Sequence, residues 1–117
     1  MNINDFDRLY RRKKTATGVT GQVVRIALKP IGAKTLRVLT NIAIENLTSA
    51  YTKLRIGIKN GGWQMYTEEQ DTVAAGKLVT SRSDLLLTEG DSFFADLTGT
   101  TDDDKLELSC QGWDKKI

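Results

Sequence analysis

A chain of 117 residues and 13.0 kDa has room for a single domain, and its 39% hydrophobic and 27% charged residues suit a folded chain rather than a disordered one. The absence of histidine removes imidazole bases, Ser-His and Cys-His nucleophiles and His-ligated zinc. The single cysteine, Cys110, removes an intrachain disulfide and any cysteine metal cluster, and no run of about 18 apolar residues encodes a helical membrane span.

The net charge of +2 is unevenly placed: residues 1–35 hold eight Lys and Arg against two acids, while residues 36–117 hold nine against thirteen. A basic head on an acidic body can meet the body of a neighbouring copy, a nucleic acid or an acidic partner. The opening residues Met1 to Tyr10 are polar and acidic-aromatic, without the apolar centre of a secretion signal, so use without Sec export is expected.

In chain order, residues 1–18 read as a basic N-terminal arm. Phe6, Leu9 and Tyr10 make one marginal helical turn around residues 5–14, the only helix candidate. Arg8-Leu9-Tyr10-Arg11-Arg12-Lys13-Lys14 places five cations in seven residues. Such a run binds phosphates with salt-dependent, sequence-blind affinity, is simply solvated, or lies across an acidic neighbour in an assembly. Confinement of the cations to an arm, together with the acidic body, favours the neighbour. Arg8, Tyr10, Arg11, Arg12, Lys13 and Lys14 are then the partner-contact residues of an arm that orders only on assembly.

Residues 19–114 form the domain and residues 115–117 a short tail. The period in the domain is two. Val24, Ile26 and Leu28 alternate with Val23, Arg25 and Ala27. Leu36, Val38, Thr40, Ile42 and Ile44 point one way; Arg37, Asn41 and Glu45 point the other. Leu54, Ile56 and Ile58 alternate with Arg55, Gly57 and Lys59, and Leu106, Leu108 and Cys110 with Glu107, Ser109 and Gln111. Each pattern is a strand with one face in a core. Lys29-Pro30-Ile31-Gly32, Glu45 to Ser49, Lys59-Asn60-Gly61-Gly62 and Thr88-Glu89-Gly90-Asp91 are the turns, the third a strong tight-turn signal. Strands are predicted at 19–29, 35–46, 52–59, 63–67, 71–80, 84–88, 91–98 and 104–113. About eight strands spaced roughly ten residues apart predict an all-β antiparallel sandwich, jelly-roll-like, with an extended N-terminal arm.

No residues are marked out for catalysis. The carboxylates fall on polar faces and strand ends, and Gly57, Gly61 and Gly62 lack the helix and Lys-Ser/Thr pair of a phosphate loop. Asp102, Asp103 and Asp104 beside Thr98, Thr100 and Thr101 supply oxygen ligands of the kind that hold Ca²⁺. Their spacing is not that of an EF-hand, and a hydrated loop is the plainer reading. No metal and no cofactor is assigned. Cys110 reads as a small buried hydrophobe. Trp63, Tyr66 and Trp113 are candidate surface aromatics for stacking on sugars, or caps for the open ends of a sandwich.

Arg-rich head, Val38-Leu39-Thr40-Asn41-Ile42-Ala43-Ile44-Glu45-Asn46, Leu54-Arg55-Ile56-Gly57-Ile58, Trp63-Gln64-Met65-Tyr66, Leu85-Leu86-Leu87-Thr88-Glu89-Gly90-Asp91 and Leu106-Glu107-Leu108-Ser109-Cys110-Gln111-Gly112-Trp113 follow one another in an order that resembles small β-sandwich virion proteins of tailed bacteriophages. The resemblance covers about residues 36–113. It implies a non-enzymatic structural protein that decorates or cements a capsid or joins head to tail. Its implied partners are other virion proteins, namely major capsid, neck or portal proteins, and further copies of itself. It also implies no membrane, and a location in the virion after assembly in the bacterial host cytoplasm. A carbohydrate-binding sandwich and a nucleic-acid-binding module using the basic arm are the rival readings.

Overall fold

The period-two pattern becomes nine strands in the computed structural model, which describes residues 8–117. They are β1 (Arg8–Thr17), β2 (Val24–Ala27), β3 (Thr35–Asn46), β4 (Tyr51–Asn60), β5 (Trp63–Val73), β6 (Val79–Ser81), β7 (Leu85–Leu87), β8 (Ser92–Thr98) and β9 (Lys105–Lys116). The first sheet runs β1-β9-β3, with β6 and β7 sharing the far side of β3; the second runs β2-β8-β4-β5. Every pairing is antiparallel. The fold is thus the expected all-β sandwich. Its core brings Leu39, Ile42 and Ile44 of β3 and Leu106, Leu108 and Cys110 of β9 against Leu54, Ile56 and Ile58 of β4 and Phe93, Ala95 and Leu97 of β8.

The largest departure from the sequence expectation is at the head. From Arg8 to Thr17 the basic segment is neither an arm nor a helical turn but a full strand, zipped to β9 from Arg8 beside Asp114 to Thr17 beside Lys105. Two alternate positions supply the reason: Tyr10 and Ala16 pack against the core, while a ten-residue ladder satisfies backbone groups that a single helical turn leaves open. Residues 1–7, the first part of the expected arm and the start of the 5–14 turn, lie outside the described residues. Among the described residues no helix forms.

Strand boundaries also move: the last strand, expected at 104–113, is β9 and runs on to Lys116, so Lys115 and Lys116 of the expected tail pair with Leu36 and Thr35 of β3. The strands expected at 63–67 and 71–80 join through Glu68, Glu69 and Gln70 into one long strand, β5, which carries a bulge at Thr67 and ends at Val73, while Val79 and Thr80 fall in the separate β6. The segment expected as 19–29 is a strand only from Val24 to Ala27, because the chain turns at Gly21 with φ 78. The Asn60-Gly61 turn forms as expected, with Gly61 at φ 58 between β4 and β5.

β3 carries a bulge. Its register with β9 shifts between Leu39 and Asn41, which inserts one residue and reverses the facing of everything before it. Leu39 therefore joins Ile42 and Ile44 in the core, and Val38, expected with them, turns to the outer face. There it stands in register between Trp113 of β9 and Leu86 of β7, and Trp113 in turn stands beside Leu9 of β1. The four side chains make an apolar row across the outside of the first sheet, with Val38 itself fully covered at 0% exposure.

Candidate functional site: two charged sheet edges

The six candidate contact residues of the head all lie on β1, the free edge of the first sheet. Strand alternation divides them. Arg8, Tyr10, Arg12 and Lys14 share the inner side with Asp114, Gly112, Cys110 and Leu108 of β9; Arg11 and Lys13 share the outer side with Gln111 and Ser109. Tyr10 is half-buried beneath Arg37, whose guanidinium lies 3.5 Å from the ring centre. Arg37 in turn donates to both carboxylate oxygens of buried Asp114, at 2.7 and 2.9 Å. Burial works against that charge, but the Asp114 hydrogen bonds together with the charges of Tyr10 and Asp114 outweigh it and hold the guanidinium above its ordinary pKa. Lys14 Nζ donates to the Ala27 carbonyl at 2.6 Å and so ties β1 of one sheet to β2 of the other. On the outer side Arg11 Nε donates to Gln111 Oε1 at 2.9 Å, and Lys13 Nζ lies 3.4 Å from Glu107. Tyr10, Arg12, Lys14, Lys29 and Arg37 line a groove of about 290 Å³ between the two sheets. The sequence run becomes a basic strand edge.

The opposite end of the molecule carries the counterpart, which sequence reasoning missed. β5 is the free edge of the second sheet, exposed from Trp63 through Glu69, with Glu68, Glu69 and Asp71 as its charges and no Lys or Arg. Arg55 Nε donates to Glu69, and Lys53 reaches both Glu69 and Asp71 at 3.7 Å. The Arg55 hydrogen bond holds the Glu69 carboxyl below the ordinary value. Ser81 of β6 donates to Glu68, so β5 is tied to the far edge of the first sheet. Only a slot of about 70 Å³, lined by Ile42, Ile56, Glu68 and Ser81 among others, opens there.

The candidate aromatics do not converge. Trp113 lies on the first sheet, whereas Trp63 and Tyr66 stand on opposite sides of β5. Trp63 is 54% exposed. Tyr66 is engaged on several sides. It meets Phe94 edge-on at 5.6 Å, donates its hydroxyl to Asp96 at 3.0 Å, and lies under the Arg55 guanidinium at 4.7 Å. Arg25 covers the Phe94 face at 3.9 Å and donates to Asp96 through two bonds of 2.7 and 2.8 Å. A layer of Arg25, Arg55, Tyr66, Phe94 and Asp96 therefore seals the outside of the second sheet. Its one signal in the sequence is the adjacent pair Phe93-Phe94, whose rings must face opposite ways.

The acidic loop is a structural joint. Asp104 is buried and accepts hydrogen bonds from Asn46 Nδ2 at 2.8 Å, Ser49 Oγ at 2.7 Å and the Thr101 amide at 2.8 Å. Burial pushes its carboxyl up, but these three bonds outweigh it and leave the pKa below the ordinary aspartate value. Asp102 accepts from the Thr20 amide at 2.9 Å. Among the described residues no group of three or more His, Cys, Asp or Glu is placed to hold a metal ion. Cys110 is buried between the sheets, and its thiol is pushed up to about 11 by burial, with Arg37 and Arg12 only partly offsetting it.

No family model matches the chain, and no curated protein matches it. Among solved structures, it is similar to a chain in the structure of infectious bursal disease virus Gt strain, with a TM-score of 0.46 and 12% identity. The likeness covers 92% of this chain and 30% of that one, so this chain spans about a third of that chain's length.

Proposed function

We propose that the protein is a non-enzymatic structural subunit of a virion that works by docking its sheet edges on other protein surfaces. One observation carries the contact role: the two long strand edges left open, β1 and β5, are the most basic and the most acidic of the described strands. Open edges of this length are normally covered, shortened or used. The virion setting comes from the resemblance of residues 36–113 to phage β-sandwich proteins. Its expected partners are capsid, neck or portal proteins and further copies of itself. Decoration of the capsid or a place in the head–tail neck, with assembly in the bacterial cytoplasm, follows from the same resemblance.

The basic groove around Arg12, Lys14 and Lys29 supports a second reading, binding to nucleic acid, whose affinity would fall steeply with salt. Quantifying the chain in purified particles tests the first reading. A fixed copy number per particle, with ordered density on the shell or neck, is the expected result. Absence from particles, together with tight salt-sensitive binding to DNA, transfers the assignment to the second.

A further inference from the structure

We infer that β1 of one copy pairs with β5 of a second copy, the basic edge adding to the acidic one as an intermolecular antiparallel ladder. This rests on the structural-subunit reading and names the surface and the partner it uses. β1 ends its sheet beyond β9, and β5 ends the other beyond β4; among the described residues neither has a strand on its far side. Ten and eleven residues of open edge each span roughly 33 Å of strand. The remaining edges are blunt: β2 has four residues, and β6 and β7 three each.

Charge selects the partner. β1 holds Arg8, Arg11, Arg12, Lys13 and Lys14 with no acid; β5 holds Glu68, Glu69 and Asp71 with no Lys or Arg. Pairing β1 with β1 sets five cations against five, and pairing β5 with β5 sets three acids against three. Like charges directly opposite weaken a ladder and opposite charges support it, so the charge pattern forbids both self-pairings and permits the mixed one. Lys53 and Arg55 neutralise part of Glu69 and Asp71, but they sit on β4, one strand further in, so an incoming strand meets the acids first. An antiparallel register that sets Arg8 beside Val73 runs as far as Glu68, beyond which the bulge of β5 at Thr67 shifts the pairing by one residue. It brings Arg12 beside Glu69 and Lys13 beside Glu68. Antiparallel order is the more stable of the two pairings per residue.

The contact uses a different surface on each partner, so it repeats. It closes into a ring where the rotation allows and runs on as a filament where it does not. Each contact fuses β2-β8-β4-β5 of one copy to β1-β9-β3 of the next in a single sheet.

Sedimentation velocity over a concentration series, at low salt and at about 0.5 M salt, reads the association. It is run on the wild type, on Arg12→Glu/Lys13→Glu, on Glu68→Lys/Glu69→Lys, and on the two variants mixed. Wild type is expected to associate and to weaken with salt. Each variant alone should lose at least tenfold in association, and the mixture should recover it, because the reversed charges again face opposite signs. Where a reversal variant fails to melt cooperatively, Arg12→Gln/Lys13→Gln and Glu68→Gln/Glu69→Gln replace it, with a smaller loss expected from each. Stronger association of the β1 variant than of wild type would mark contact between two β1 edges and overturn the inference, as would a mixture no better than its parts. A wild type that stays monomeric yet is present in particles sinks the edge pairing and leaves the structural reading standing. One that pairs through these edges but is absent from particles does the reverse.

Discussion

Gly57 and Phe94 stand directly opposite each other on β4 and β8, and the ring fills the space a side chain at position 57 would need. A Cβ there would lie 2.9 Å from Phe94 Cζ and 2.2 Å from the Met65 carbonyl oxygen. The absent side chain is what lets the ring lie across the sheet beneath Arg25 and beside Tyr66.

Gly57→Ala is therefore expected to destabilise the fold by about 1–3 kcal/mol, the scale of overpacking a filled site. Urea unfolding measures it. An unchanged midpoint would show that the ring and β5 move aside without cost.

Asp114→Ala removes the carboxylate that pairs with Arg37 and leaves a largely buried guanidinium against the Tyr10 ring. Breaking one side of a buried pair costs about 3 kcal/mol. The expected outcome is a clearly lower Tm, with a smaller loss when Arg37→Met removes the stranded charge as well.

Asp104 makes stability fall on the acid side. Its native carboxyl ionises below the ordinary aspartate value, so the unfolded chain binds the proton more readily than the folded one. The contribution is fully present above a pH of about 4, the unfolded value, and is lost as pH falls through the native value. Unfolding midpoints measured across that window should drop for the wild type and flatten for Asp104→Asn. The variant also loses stability at neutral pH, since Ser49, Asn46 and the Thr101 amide share a poorer acceptor.

Cys110 is buried and its thiol is pushed up to about 11, so little thiolate exists at neutral pH and little of it is reachable. A maleimide reagent should label it slowly in the native protein and rapidly in urea. Fast native labelling would mean that β1 opens away from β9.

Deleting residues 1–17 should cost the cooperative melt rather than trim a dispensable arm. It strips β1 from Lys105 to Asp114 of β9 and bares a ten-residue edge. A truncated protein that melts at the wild-type temperature would return the basic segment to the status of an appendage.

How much of this was legible in the sequence depended on whether a strand has one wet face or two. β3, β4 and β9 declared themselves because Ile42 and Ile44, Leu54 and Ile56, or Leu106 and Leu108 alternate with polar residues. β1 and β5 are sheet edges whose side chains are wet nearly all round, so Arg11 to Lys14 and Glu68 to Gln70 carry no apolar period and read as an arm and a break. The cations of the candidate site could be named from their density alone. The acids could not, because only the end position of β5 in its sheet turns three carboxylates into an edge. The facing of Val38 was equally hidden, since it depends on a register shift that no local pattern announces.

That shift has a wider effect. Before Thr40 the exterior of the first sheet is greasy, with Leu9, Trp113, Val38 and Leu86 in one line; beyond it the exterior carries Asn41, Gln111, Ser109, Glu45 and Glu107. Absorbing one residue in the bulge thus parcels one side of the molecule into an oily half and a hydrophilic half. Excising Thr40 would leave both halves in place, because Leu39 would then stand two residues before Ile42 in a regular strand; flattening the bulge with Thr40 retained is what would push Val38 inward at the expense of Leu39.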